Sequence, residues 1–140
     1  MIAVDTNVLL RYLLGDDQDQ SAKADKLING KETVLITDVV LAETVWTLKG
    51  KKYQLKKAEL IKVIQALFKE PNIRFENGQV IWAALYDYRN AKPVNGKIAD
   101  FPDALILNKA KAVVIEHSNK FSGFYTFDNA AQVLPNTKMP

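Results

Sequence analysis

Cysteine is absent from this chain of 140 residues, and histidine occurs once, as His117. Disulfides, thiolate metal sites, multi-histidine zinc centres and His-pair catalysis are excluded on that ground alone. A chain without thiols fits a reducing cytoplasm, which is the expected location. Proline and glycine are also sparse, at 5 and 6 residues. Repeats, low-complexity stretches and Gly/Ser-rich linkers are missing, so residues 1–140 are expected to form a single domain. No apolar run approaches the roughly 18 residues that a membrane span needs. The first residues also lack the basic, apolar and small-residue succession of a signal peptide, so neither feature is expected.

What remains is an ordinary globular composition, 48% hydrophobic and 25% charged. A net charge of +3 with a pI near 9.0 permits a polyanionic partner without demanding one. The distribution is uneven. Lys49, Lys51, Lys52, Lys56 and Lys57 surround Tyr53, whereas Asp16–Gln20 reads DDQDQ. By charge alone the lysine cluster reads as a solvated turn between helices.

Periodicity alternates strands with helices. Ile2–Val4, Thr33–Ile36 and Ile73–Phe75 read as short buried strands, and Phe124–Phe127 as a last one after Gly123. Helices are expected at Asn7–Leu14, Ser21–Asn29, the segment VVLAETVWTL with Asp38 as its cap, Lys56–Lys69 and Gln79–Tyr88. A further one starts at Asp100-Phe101-Pro102, with Ile106, Leu107, Ala110, Val113 and Val114 on one face. Strands separated by helices predict a parallel α/β sheet with right-handed crossovers.

Several carboxylates fall at unusual places. Glu43 has Val39, Val40, Trp46 and Thr47 as its helical neighbours, a largely apolar face on which an acid requires a proton, a partner or a cation. Asp103 likewise begins the apolar face of its helix, and Asp100 lies one turn earlier as the natural N-cap. Asp5 and Asp128 share a pattern, each following an apolar strand: IAV-D-TNVLL and FYTF-D-NAAQVL. Each alone is explained by N-capping. If both strands belong to one parallel sheet, however, both acids emerge at its carboxyl edge, where α/β proteins build ligand sites. Thr6, Asn7 and Thr126 flank them as candidate supporting groups. Clustered carboxylates need protons or a hard cation for compensation, and all-oxygen ligation selects Mg²⁺ or Mn²⁺.

The stretches VDTNVLLRYLL, LAETVWTL, DFPDALILNKA and YTFDNAA, in this order across nearly the whole chain, resemble the PIN-domain family. The resemblance is to its VapC-type ribonuclease toxins in particular. It implies a three-layer α/β/α sandwich with a central, mostly parallel sheet. Residue by residue, it places the family's four acids on Asp5, Glu43, Asp103 and Asp128, with Asp100 as a fifth. Which of Asp100 and Asp103 ligates directly stays open, as does the identity of the general base; Thr6, Asn7 and Thr126 fall where the family supports its acids.

The implied activity is magnesium-dependent endoribonucleolytic cleavage by metal-activated water, within a toxin–antitoxin pair. The implied partners are RNA, a cognate antitoxin and a second copy of the chain. Arg11, Lys49, Lys51, Lys52 and Lys97 are candidates to hold RNA phosphates. The aromatics Trp46, Trp82, Tyr86 and Tyr88 are candidates to meet a second copy or an antitoxin. Two rivals stand beside this reading. An aspartyl-nucleophile phosphatase is expected to carry a second Asp two residues after the first, where this chain has Asn7. The other is a non-catalytic RNA- or protein-binding module on the same fold. The RNA target and the antitoxin are not encoded in a readable way.

Overall fold

Three parallel strands organise the first half of the chain: β1 (Ile2–Ala3), β2 (Val34–Ile36) and β3 (Ile73–Phe75), in the order β1-β2-β3. Ile2 stands opposite Val34, and Val34 opposite Ile73. Val34 and Ile36 are wholly buried, as the β-branched, apolar composition of β2 requires of a central parallel strand. The helices of this half are α1 (Thr6–Leu14), α2 (Gln18–Ile28), α3 (Asp38–Lys49) and α4 (Lys57–Lys69). They bury Leu9, Ile28, Leu41, Leu48, Leu60, Ile64 and Leu67. Each of these truncated to alanine would forfeit roughly 2–5 kcal/mol.

The computed structural model describes residues 1–140, and its contacts resolve two compact units, Met1–Glu76 and Asn77–Pro140. The second unit holds α5 (Gly78–Asn90) and α6 (Phe101–Glu116), followed by β4 (Phe124–Tyr125), a 3₁₀ turn at Ala131–Val133 and β5 (Thr137–Lys138). Helices α5 and α6 pack against each other. Tyr88 meets Phe101 edge-on at 5.9 Å, and Asn108 donates to Asp87 at 2.9 Å. No helix is long and apolar enough to cross a membrane.

Most element ends lie within a few residues of expectation, and the exceptions have identifiable causes. Helix α2 begins three residues early because Asp17 caps it, accepting from the Gln20 amide. The cap of α3 is Thr37, whose hydroxyl accepts from the Val40 amide, and Asp38 is already inside the first turn. Helix α6 buries Phe101, Ala104, Leu105 and Leu107, while Ile106 and Val113 face solvent. Apolar residues surround this helix, so its sequence alone does not select the core face; packing on α5 does. Finally, β4 pairs with β5 and not with the three-stranded sheet. Asp5 and Asp128 therefore do not end strands of one hydrogen-bonded sheet.

Candidate functional site

In the first unit, Asp5 sits where β1 hands over to α1. Its Oδ1 accepts from the Val8 amide at 3.0 Å, and its backbone is extended, as an N-cap requires. The side chain is exposed, so the second carboxylate oxygen is available to an external cation or proton. Thr6 is buried behind it and Asn7 exposed beside it. A cavity of about 320 Å³ opens next to Asp5, lined by Asn7, Val8, Arg11, Gln20 and Lys23 among others.

Arg11 in this cavity wall is already engaged. Its guanidinium donates to Asp16 at 2.9 Å and to Gln20 at 2.8 Å. The hydrogen bond and charge of Asp16 raise the Arg11 pKa further, and Arg11 in turn holds the Asp16 carboxyl below its ordinary value. A phosphate would have to compete with Asp16 for this group. The acidic DDQDQ segment thus supplies a counter-ion and a helix cap.

Glu43 occupies an unexpected environment. It is exposed, and the residues one turn away on either side, Val39 and Trp46, are 73% and 63% exposed. The core face of α3 is instead Leu41, Thr44, Val45 and Leu48. The stripe around Glu43 is apolar but faces outward, so burial imposes no partner on this carboxylate. The sheet edge also holds Asp38, which the sequence reading took only as a helix cap, and Glu76, which it did not single out. Asp38 is buried just beyond β2, and its amide donates to Glu76, directly after β3, at 2.7 Å. The signal was available, since IRF-E repeats the strand-then-acid pattern of IAV-D.

In the second unit, Asp100 and Asp103 form a reciprocal cap at the start of α6. The Asp103 Oδ2 accepts from the Asp100 amide at 3.0 Å, while the Asp100 side chain caps the third residue of the helix. Tyr88 lies in the same unit, and its burial, with the Asp100 charge adding to it, pushes the phenol up to about 12. Tyr88 is consequently core, unlike the exposed Trp82 and Tyr86 of the same helix.

Asp128 follows β4 in a tight turn. Its amide donates to the Thr126 hydroxyl at 3.0 Å, and its Oδ1 accepts from the Ala130 amide at 2.9 Å. Thr126 thus fixes the backbone that carries the acid. A second cavity, about 250 Å³, adjoins Asp128 and is lined by Lys97, Asn95, Phe127 and Asn129 among others. Lys97 reaches it from a tight hairpin in which Val94 and Lys97 exchange backbone hydrogen bonds. The intervening Asn95 and Gly96 adopt positive φ, as such a turn demands. Lys49, Lys51 and Lys52 lie at the end of α3 and in the turn after it. All three are exposed, with the Lys52 ammonium 5.2 Å from the Tyr53 ring centre.

The donor chemistry of Asp5, Glu43, Asp103 and Asp128 is that of hard divalent cations. The hydrogen bonds of Asp5, Asp103 and Asp128 to backbone amides orient each carboxylate. Within either unit taken by itself, no group of three or more such side chains gathers to hold an ion.

Parallel strands and connecting helices define a mixed α/β protein. The PIN domain model matches residues 2–132, and the chain belongs to the PIN-domain family. PIN domains are generally nucleases and usually use divalent metals. No curated protein matches the chain in sequence.

Proposed function

We propose that the chain is a metal-dependent endoribonuclease, the toxin of a toxin–antitoxin pair, and folds as one PIN domain. The observation that carries this reading is the family match over residues 2–132, a span that contains Asp5, Glu43, Asp103 and Asp128. These four acids are assigned to Mg²⁺ or Mn²⁺, with Asp100 acting mainly as the cap that orients Asp103. A divalent cation bound there supplies positive charge against the scissile phosphate and raises the acidity of water.

The protein's own contribution is positional. The Val8 amide orients Asp5, the Asp100 amide orients Asp103, and the turn through Thr126 and Ala130 orients Asp128. Glu43 or Asp128 accepts the proton of the attacking water, and attack by water leaves 5′-phosphate and 3′-hydroxyl ends. Lys97 beside Asp128, and Lys49, Lys51 and Lys52 after α3, are assigned to RNA phosphates. Arg11 joins them only if it releases Asp16.

The exposed aromatics Trp46, Trp82 and Tyr86 support a reading in which a second copy or the antitoxin covers them. Light scattering is expected to give twice the chain mass of 15.7 kDa. The deciding experiment is to sequence the 5′ ends of total RNA incubated with wild type or Asp5→Asn, with and without Mg²⁺. New ends are expected only with wild type and metal. Undiminished cleavage by Asp5→Asn would remove the shared-metal assignment.

A further inference from the structure

Phe127 is the most exposed large apolar side chain of the molecule, at 78%. A phenyl ring has no polar handle, so such exposure forgoes burial without gaining a hydrogen bond. Its position is specific. It precedes Asp128 directly and lines the cavity of about 250 Å³ that also holds Lys97, Asn95 and Asn129.

Tyr125, two residues earlier, is exposed as well, whereas Phe124 and Thr126 are partly covered. The ladder with β5 continues through the Thr126 amide, which donates to the Lys138 carbonyl at 3.0 Å. Strand β4 itself ends at Tyr125, and the backbone bends at Phe127 before the turn that carries Asp128. The cavity is smaller than the pockets of roughly 300–1,000 Å³ that enclose drug-sized ligands. It suits one base or one sugar–phosphate unit.

From these observations we infer that Phe127 is a stacking platform for an unpaired base of a single-stranded RNA. Lys97 takes the adjoining phosphate. The cavity combines one cationic group, Lys97, with an exposed ring, the pairing that single-strand binders use, and the Asp128 carboxylate in its wall is the acid assigned to the metal. Asn95 and Asn129, which also line the cavity, supply amide donors and acceptors without imposing a single base. The inference rests on the ribonuclease reading for its substrate class, and places the stacked base next to Asp128. Phe127 is a positioning residue, since the ring reaches no reacting atom.

The test separates binding from cleavage. Affinity of a labelled unstructured RNA of about a dozen nucleotides is measured in EDTA for wild type, Phe127→Ala, Phe127→Trp and Lys97→Ala. Phe127→Ala is expected to bind roughly 5- to 150-fold more weakly, and Phe127→Trp to restore binding. Lys97→Ala is expected to flatten the salt dependence by about one phosphate contact. A series of the same RNA with one abasic position is expected to show a penalty at one position in wild type and none there in Phe127→Ala. Equal affinity of wild type and Phe127→Ala would overturn the inference even if the protein cleaves RNA. Loss of affinity in Phe127→Ala would uphold it even if no cleavage is found. Capture of an antitoxin-like protein by Phe127 with unchanged RNA binding would also overturn it.

Discussion

Asp5 and Asp128 come from nearly the same sequence phrase, an apolar strand, an acid and an Asn nearby, yet they are built into different frames. Asp5 caps a nine-residue helix whose Leu9 and Leu10 are buried, and the preceding strand joins a three-stranded sheet. Asp128 closes a short turn after a two-residue strand in a two-stranded sheet, with Ala130, Ala131 and Leu134 as its buried anchors. A carboxylate bonding the amide two or three residues on is a local solution that short-range sequence can specify. Which sheet carries the acid is decided by distant pairing, and the phrase itself holds no information about that.

The sharpest way to break the comparison is catalytic. Asp5→Asn and Asp128→Asn are each expected to lower cleavage by ~10²–10⁴-fold with circular dichroism unchanged. Asn keeps the capping oxygen in both frames, so the loss isolates the charge. If only one of the two variants is impaired, the shared pattern is a coincidence of turns. The next contrast concerns the frames. Leu9→Ala, beneath the Asp5 helix, is expected to cost about 2–5 kcal/mol in denaturant unfolding. A cost below about 1 kcal/mol would mean that α1 is not the anchor its complete burial suggests.

A third contrast uses alanine, which removes the cap as well as the charge. Asp5→Ala is expected to destabilise by about 0.5–2 kcal/mol, since it strands the Val8 amide at the start of a full helix. Asp128→Ala is expected to cost less, about 0.5–1 kcal/mol, since it loses one hydrogen bond from the Ala130 amide in a short turn and no helix cap. Equal losses would show that the turn at 126–130 is as integral as the helix start. Thermal melts of the paired Ala and Asn variants separate the two contributions.

The same contrast between local and distant information runs through the whole chain. Strand Ile73–Phe75, the Gly15 stop of α1 and the Asp100 cap of α6 were legible because each depends on a few neighbouring residues. The environment of Glu43 was not. Both faces of VVLAETVWTL are rich in apolar residues, and only packing shows that Leu41, Val45 and Leu48 go inward while Val39 and Trp46 go outward. The exposed Phe127 was equally silent, because an aromatic beside a strand reads as core until its neighbours are placed. Arg11 teaches the converse. A basic residue five positions before an acid looks free in a list of residues, and becomes a paired group once a helix turn folds between them.

The smallest expected effect concerns that pair. Arg11 lowers the Asp16 pKa, chiefly through their hydrogen bond, so the carboxylate is favoured in the folded state. A group depressed on folding adds stability above its unfolded pKa, and that stability is lost as pH falls through the folded value. The acid limb of a stability–pH profile therefore contains a small contribution from Asp16, confined to pH below the ordinary carboxylate range. The effect is minor because the two side chains are 28% and 33% exposed, where water and salt screen the charges. Carbon-detected titration is expected to find Asp16 below a typical Asp, and to find it returned toward the typical value in Arg11→Gln. An unchanged Asp16 titration in that variant would mean that the guanidinium is not held by the acid. Arg11 would then stand among the cations open to a phosphate in the cavity beside Asp5.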